Sequence, residues 1–119
     1  MSEFSRSDRL SSQIVRELSE YLLKYSAVPA GLIISITDVE LSKDLRYGKV
    51  YYSVLGAMEA VEKAERFFKD NNKQLRMHLA KKIRVKFMPE IRFKHDNSIE
   101  RGQRISELLD RIKDDDGND

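Results

Sequence analysis

Apolar residues recur at a helical spacing in the first part of the chain. Between residues 7 and 25 the regularly spaced apolar positions are Leu10, Ile14, Leu18 and Leu22. Steps of four residues keep these side chains on one stripe of an α-helix. The spacing therefore predicts a helix over residues 7–25, with Ser7 or Asp8 as its N-cap and Pro29 just beyond its end.

Two segments rich in β-branched residues follow, at 32–41 and 49–55. Both are predicted to be strands. The connection around Asp44 is short, which implies an antiparallel hairpin. In the first strand the alternation of apolar and polar residues slips between Ile36 and Val39, and this slip predicts a β-bulge.

The remaining pattern predicts three more helices and one more strand. Residues 58–69 have a helical spacing, which Asn71 and Asn72 are expected to interrupt, because Asn favours caps and turns over helix interiors. A third helix is predicted between this break and Pro89. Residues 91–95 alternate strictly between apolar and polar, so they are predicted to form a half-buried strand. A last helix is predicted near the C-terminus.

The predicted element order is helix, strand, strand, helix, helix, strand, helix. Three strands with helices packed against one face give an α+β fold, a two-layer sandwich. No repeat or long linker divides the chain, so we expect a single domain over residues 1–113. The acidic and polar residues 114–119 are expected to form a flexible tail.

Composition limits the class of protein. The chain of 119 residues has 40% hydrophobic and 35% charged residues and contains no cysteine. The lack of cysteine excludes disulfides and thiolate metal sites and fits a reducing cytosol. No apolar run approaches the roughly 20 residues that a membrane-spanning helix needs. These features favour a cytoplasmic protein that makes no membrane contact.

Positive charge is concentrated in the C-terminal half of the chain. Between Lys73 and His95 there are eight basic residues and one acid, Glu90, although the whole chain has a net charge of only +2. A basic surface beside an acidic remainder is typical of a protein that binds a polyanion, and such binding weakens steeply with salt. The alternative is that these side chains are simply solvated, as single surface lysines and arginines usually are.

Aromatic side chains near basic residues are candidates for stacking on unpaired bases. These side chains are Phe87, Phe93, Tyr47, Tyr51 and Tyr52. Phe93 alternates with Arg92 and Lys94, so its ring is expected to face the core. Tyr51 is opposite in phase to Tyr52, which makes it the better candidate for an exposed ring. Ordinary packing of Tyr51 is nevertheless the simpler explanation, because strands favour tyrosine in any case.

Few residues suggest catalysis. His78 and His95 are the only histidines, and neither has the spacing of a zinc site. No nucleophile elbow or phosphate-binding glycine loop is present. Asp38, Glu40 and Asp44 form the nearest approach to a carboxylate cluster, but acids at a strand end usually face water. We therefore expect no catalytic residue, no metal site and no cofactor.

Two longer segments resemble a known family. Residues 39–53, VELSKDLRYGKVYYS, are similar to the ribosome-binding factor A pattern V-x-[LV]-S-x-D-L-x-x-A-x-V-Y-x-S. Residues 89–109, PEIRFKHDNSIERGQRISELL, are similar to its pattern P-E-[LI]-x-F-x-x-D-x-S-I-E-x-G-x-R-I-x-x-L-L. The opening residues from Arg6 to Leu18 also fit. The resemblance spans nearly the whole chain except the acidic tail.

The resemblance implies a type II KH-like fold and a non-catalytic protein that matures the small ribosomal subunit. It implies binding to 16S rRNA on the free 30S subunit, a role in processing the 5′ end of 16S rRNA and, in many bacteria, growth in the cold. KH domains that hold single strands use a G-x-x-G loop. The family has a helical kink in place of that loop, and the resemblance puts the kink at Asn71, Asn72 and Lys73. We expect a monomer with no small-molecule substrate.

The hypothesis for the interface is an electrostatic saddle formed by the third helix and the following strand, which recognises structured rRNA by shape. The residues predicted to bind RNA are Lys73, Arg76, Lys81, Lys82, Arg84 and Lys86, with Arg46, Arg92 and Lys94 at the margin. Two alternatives stay open. One is a protein–protein adaptor whose basic face docks on an acidic partner. The other is a small metal-dependent enzyme, which would require a bound metal.

Overall fold

The structure of the chain, a computed structural model, describes residues 5–25 and 27–96. Its elements are α1 (Arg6–Lys24), β1 (Ile33–Leu41), β2 (Tyr47–Leu55), α2 (Met58–Lys82) and β3 (Glu90–His95). The strands form one sheet in the order β1-β2-β3, in which β1 and β2 are antiparallel and β2 and β3 are parallel. The predicted α+β, KH-like class is confirmed. The predicted last helix and the acidic tail lie outside the described residues.

Helix α1 forms as its apolar stripe predicts, but it begins earlier. Ser5 is its N-cap, and the predicted caps Ser7 and Asp8 lie inside the helix. The Ser5 side chain accepts a hydrogen bond from the backbone N–H of Asp8 at 3.1 Å, and the Asp8 carboxylate accepts one from the N–H of Ser5 at 3.1 Å. This reciprocal capping box satisfies two backbone donors that the first turn would otherwise leave without partners.

The predicted β-bulge in β1 is confirmed. The register with β2 shifts between Ile36 and Asp38, which leaves Thr37 as the extra residue. Because of this extra residue, Ile36 and Val39 both face the helices although they are three positions apart. The hydroxyl of Thr37 donates to the carboxylate of Asp96 at 2.7 Å. The bulge thus links β1 to the residue that follows β3.

Both described helices cover the same face of the sheet. The buried strand residues that meet them are Val39, Val50, Tyr52 and Ile91. The helices contribute Leu10, Ile14, Leu18 and Leu22 from α1 and Ala64, Phe67, Phe68, Leu75 and Leu79 from α2. Phe93 packs against this core and stacks on Phe68, with ring centroids 4.4 Å apart, as its alternation predicts. Neither α1 nor α2, the helices of the described part, is long and apolar enough to cross a membrane.

Helix α2 runs without interruption through Asn71 and Asn72, so the predicted break between two helices is wrong. The Asn71 amide nitrogen donates to the carbonyl of Phe67, and its oxygen accepts from the hydroxyl of Tyr25, both at 2.9 Å. The Asn72 amide donates to the carbonyl of Ile91 at 2.9 Å. These hydrogen bonds offset the low helix propensity of Asn, which is a weak preference that tertiary contacts override. A kink within the continuous helix stays a prediction.

A column of aromatic rings joins α1 to α2. Tyr21 stacks on His78 with ring centroids 3.7 Å apart and lies 4.9 Å from the ring of Tyr25, which in turn lies 6.0 Å from the ring of Phe67. His78 is therefore half-buried. Burial lowers the pKa of His78 below its usual value of 6.5. The imidazole is therefore neutral at pH 7, as suits a ring packed between two helices.

Replacing Tyr25 by Phe should lower the free energy of unfolding by about 1 kcal/mol, because the part-buried side-chain oxygen of Asn71 loses its donor. The ring of Tyr25 is kept, so its stacking should not change. Urea denaturation measures the difference. Tyr21→Phe is the matched control: among the described residues the Tyr21 hydroxyl makes no hydrogen bond, so we expect a change below about 0.5 kcal/mol. Equal stability of Tyr25→Phe and the wild type would mean that the bond to Asn71 does not stabilise the fold.

Candidate nucleic-acid interface

The residues predicted to bind RNA lie in three places on the molecule. Arg46, Arg84 and Lys86 line one groove. Arg92 and Lys94 lie on β3, and alternation with buried Ile91 directs them to the sheet face away from the helices. Lys73, Arg76, Lys81 and Lys82 lie on the second half of α2. A single saddle formed by all of these residues stays a prediction, and the groove is a place where cations from separate elements converge.

The groove lies where the start of α1, the β1–β2 turn and the connector from α2 to β3 meet. Its volume is about 690 Å³. Its basic side chains are Arg6 and Arg9 from α1, Arg46 from the turn, and Arg84 and Lys86 from the connector. Apolar side chains of Leu10, Leu45, Val85 and Met88 also line it. We call this site the cationic groove.

Sequence reasoning did not assign Arg6 and Arg9 to the interface. Arg6 lies four residues before Leu10, so it continues the apolar stripe of α1 at the point where the stripe stops being apolar. A cation at a stripe position indicates that this end of the helix leaves the core, because long charged side chains are rarely buried. That signal was available in the sequence.

The connector, residues 83–89, is fixed at both ends. At its start, buried Ile83 donates its backbone N–H to the carbonyl of Leu79 at 2.8 Å and ends the helix. At its end, the guanidinium of Arg76 donates to the carbonyls of Met88 at 2.8 Å and Pro89 at 3.1 Å. Arg76, one of the predicted RNA-binding residues, therefore has a structural role in holding the connector.

Between these two anchors the connector presents four consecutive exposed residues, Arg84, Val85, Lys86 and Phe87. Phe87 is 78% exposed. The ammonium nitrogen of Lys86 lies over this ring, 5.7 Å from its centroid, which is within the range of a cation–π contact. An aromatic ring thus lies beside the groove among its cations.

The β1–β2 turn that carries Arg46 is held by hydrogen bonds to Ser42. The Ser42 carbonyl accepts from the N–H of Leu45 at 3.0 Å, and its hydroxyl accepts from the N–H of Tyr47 at 3.0 Å. Leu45 has φ of +60°, in the left-handed region that residues other than Gly and Asn seldom adopt. The Arg46 carbonyl accepts from the N–H of Glu90 at 2.8 Å, so the turn is also bonded to the start of β3.

Asp44 is the one acid that lines the cationic groove among the described residues. A hydrogen bond from the Ser42 hydroxyl at 2.7 Å, assisted by one from the N–H of Arg46 at 3.1 Å, holds the pKa of Asp44 below its usual value. Asp44 is therefore ionised at neutral pH. Its carboxylate lies 3.9 Å from Nε of Arg46, and both side chains are exposed, so this ion pair contributes little to stability.

The charge of the groove is positive but local. Five cations and one carboxylate line it, whereas the whole chain has a net charge of only +2. Charges in a concave surface add their potentials, and salt screens exposed charges beyond about 8 Å at physiological ionic strength. The arrangement suits a ligand that brings several negative charges into the groove at once, as a nucleic-acid backbone does.

The sheet face that carries Arg92 and Lys94 is mixed in charge. Lys49 is the register partner of Arg92, but Glu40 and Glu90 line the same depression. Of the described residues, two acids and two cations therefore line this depression, whereas one acid and five cations line the cationic groove.

Tyr51, the candidate for an exposed ring, is only 7% exposed, which confirms the simpler explanation of ordinary packing. Its hydroxyl donates to the carboxylate of Glu40 at 3.1 Å, which holds the side chain against the sheet. Tyr47, four positions earlier on the same face, is 57% exposed. Strand phase identified the face but could not tell which tyrosine on it is covered.

The cations at the end of α2 have a simpler structural explanation. Lys81 and Lys82 lie in its last turn, where positive charge interacts favourably with the helix dipole. Lys73 is an exposed residue in the middle of the helix. Contact of these three lysines with RNA stays a prediction.

The carboxylates singled out in the sequence do not form a cluster. Asp38 accepts from the N–H of Val39 at 2.8 Å, Glu40 accepts from Tyr51, and Asp44 lies in the turn. Within residues 5–25 and 27–96, no three His, Asp or Glu side chains come together in a way that could hold a metal ion.

The chain is similar in sequence to known proteins over most of its length. The family model described as ribosome-binding factor A matches residues 6–109. A ribosome-binding factor A from Caldanaerobacter subterraneus subsp. tengcongensis is 40% identical over 117 residues, which cover 96% of this chain and 94% of that one.

The fold is also similar to structures of ribosome-binding factor A proteins. The solution structure of a Thermotoga maritima protein assigned as a ribosome-binding factor A superimposes with a TM-score of 0.67 at 34% identity, covering 84% of this chain and 95% of that chain. A Thermus thermophilus ribosome-binding factor A homology model, fitted into an electron-microscopy map of a 30S complex, gives a TM-score of 0.58 at 24% identity, covering 72% and 90% of the two chains. At that identity the second likeness concerns the fold alone.

Replacing Arg76 by Ala should destabilise the protein by about 2 kcal/mol, because two connector carbonyls lose a charged donor. Lys73→Ala removes the same charge from an exposed site on the same helix and should change the stability by less than about 0.5 kcal/mol. Urea denaturation of the two variants tests the structural role of Arg76. If both variants were as stable as the wild type, the guanidinium would not hold the connector.

Proposed function

Because the chain belongs to the ribosome-binding factor A family, we propose that it is a non-catalytic assembly factor that binds 16S rRNA on the free 30S subunit. In this role it promotes late maturation of the subunit, including processing of the 5′ end of 16S rRNA. It acts in the cytoplasm as a monomer, without cofactor, metal or small-molecule substrate, and supports growth in the cold.

The observation that carries this proposal is the convergence of five basic side chains from three segments on one groove. rRNA is the polyanion that such a surface would meet on a ribosomal subunit. Arg84 and Lys86 come from the connector and Arg6 and Arg9 from α1, so in this proposal they contact phosphates from two sides of the bound RNA. Membership of the ribosome-binding factor A family supports the ribosome as the partner, and a member of that family has been fitted into the map of a 30S complex.

A protein without catalytic groups can promote maturation through binding energy alone. A ligand shifts a conformational equilibrium by its difference in affinity for the two states. If the cationic groove fits the mature arrangement of an rRNA segment better than its precursors, binding stabilises that arrangement. A difference of about 1.4 kcal/mol changes the ratio of the two arrangements tenfold. Processing enzymes then act on the rRNA that the factor has stabilised.

Sedimentation with isolated 30S, 50S and 70S particles at two salt concentrations tests the proposal. We expect comigration with 30S particles that weakens with salt, because released counterions drive phosphate binding. Replacing Arg46, Arg84 and Lys86 together by Ala should weaken binding and reduce the slope of log affinity against log salt by about one for each phosphate that the protein no longer neutralises. The matched control replaces three exposed lysines outside the groove, Lys24, Lys63 and Lys69.

Equal losses of affinity in the groove and control variants would mean that overall charge, not the groove, sets the affinity. Comigration with 30S that resists salt, or that survives the loss of accessible rRNA after nuclease treatment, would favour the adaptor alternative, in which an acidic protein is the partner.

Replacing Asp44 by Asn tests the sign of the electrostatic argument. Asn keeps a side-chain oxygen that can accept from Ser42 and from the N–H of Arg46, so the turn should persist, but the groove loses its carboxylate. We expect 30S affinity to rise about two- to fivefold, in line with the energies of exposed charge pairs. Weaker binding by a variant with unchanged stability would contradict the assignment of the groove as the phosphate site.

Deleting the gene from its host should cause a precursor of 16S rRNA with an unprocessed 5′ end to accumulate, most strongly at low temperature. Primer extension on total RNA measures the fraction of unprocessed ends. Wild-type protein should restore processing, and the triple Ala variant of Arg46, Arg84 and Lys86 should not. Normal processing in the deletion strain would remove the maturation role and leave a 30S-binding protein of another purpose.

A further inference from the structure

Phe87 is a large apolar side chain whose position the core does not explain. The residue is 78% exposed and lies at the end of the exposed run of the connector. A single exposed apolar residue is ordinary and carries no meaning by itself. Phe87 differs because it lines the cationic groove, with Arg84 and Lys86 just before it in the chain.

The connector holds Phe87 in place without burying it. Two residues later, Pro89 is buried and its carbonyl accepts from Arg76 at 3.1 Å, and the preceding carbonyl, of Met88, accepts from the same guanidinium at 2.8 Å. On the other side, Ile83 is buried at the end of α2. A ring presented by a backbone fixed at both ends loses little conformational entropy when a ligand covers it.

The ring already interacts with a cation. The ammonium of Lys86 lies 5.7 Å from the ring centroid, over the ring. A nucleotide would offer this pair both of the partners that suit it, a phosphate for the ammonium and a flat base for the ring. The stacking of bases on aromatic side chains is tolerant of sequence, because every base has such a face.

We propose that Phe87 stacks on an unpaired base of the bound RNA, while the cations of the groove hold the phosphates on either side of that base. The inference rests on the proposed function and makes it more specific. The RNA element that fits this site is a junction, bulge or single-stranded segment. In a continuous duplex the faces of the bases are covered by their neighbours, so no base face is available for the ring to stack on.

Fluorescence anisotropy with two labelled RNA hairpins tests the proposal. The hairpins are identical except that one carries a single unpaired adenine in its stem. The wild type should bind the hairpin with the unpaired adenine about five- to a hundredfold more tightly, the range expected for stacking of one base on an aromatic ring. Phe87→Ala should lose this preference and Phe87→Trp should keep it.

The slope of affinity against salt separates stacking from phosphate contact. Phe87→Ala removes no charge, so its slope should equal that of the wild type, whereas Arg84→Ala should lower the slope for both hairpins. Leu23→Ala is the matched control, since Leu23 is 87% exposed on α1 and does not line the groove. Equal melting temperatures of Phe87→Ala and the wild type would establish that the exposed substitution leaves the fold intact.

A direct readout uses 2-aminopurine in place of the unpaired adenine, because its fluorescence is quenched by stacking. Binding of the wild type should change the signal, and binding of Phe87→Ala should not. Equal affinity of the wild type for the two hairpins, or a preference that Phe87→Ala retains, would overturn the base contact. If Phe87→Ala lost 30S binding but kept full hairpin binding, the ring would contact a protein, and the proposal would also be wrong.

Sedimentation separates a failure of this inference from a failure of the proposed function. If the wild type bound 30S particles in a salt-sensitive way but showed no preference between the hairpins, only the stacking of Phe87 would be refuted. If it bound neither the hairpins nor 30S particles, both would fall.

Discussion

Asn72 and Arg76, one helical turn apart on α2, hold the backbone around the start of β3 by donating to the carbonyls of Met88, Pro89 and Ile91. The walls of the cationic groove depend on these bonds. They fix the end of the connector that carries Arg84 and Lys86. Glu90, the first residue after the connector, donates its backbone N–H to the carbonyl of Arg46 and so sets the position of the β1–β2 turn. Hydrogen bonds from a charged group such as the Arg76 guanidinium are worth about 1.5–3 kcal/mol, and one from a neutral amide such as that of Asn72 about 0.5–1.5 kcal/mol.

A groove built in this way is positive without a strongly basic chain. Its five cations come from three segments, and the acids of the chain lie mostly elsewhere, so the potential is local while the net charge is +2. Local charge steers a polyanion to one site and limits unspecific binding to other nucleic acids. Asp44, kept ionised by hydrogen bonds from Ser42 and Arg46, places one negative charge among the five cations.

Local patterns predicted the fold well and the site only in part. The stripe of α1, the hairpin, the bulge before Val39 and the strict alternation of β3 all follow from spacing, because each is decided by which side chains are buried. The break at Asn71 was wrong because its low helix propensity is offset by Tyr25, a partner 46 residues away. Arg84 and Lys86 are expected from charge density, and Arg46 is expected at the margin of the interface. Their meeting with Arg6 and Arg9, and the structural use of Arg76, depend on tertiary contacts that no local pattern contains.

The bonds from α2 have a second effect, on the association of one molecule with another. β3 pairs with β2 on one side only, so within the described sheet it is an edge strand. Edge strands invite pairing with strands of other molecules, which leads to aggregation or domain swapping. Here the carbonyls of Pro89 and Ile91 already accept hydrogen bonds from side chains of the same molecule. A foreign strand that approached the start of β3 would meet occupied acceptors and the covering helix, so the contact that shapes the groove also protects a vulnerable margin of the sheet.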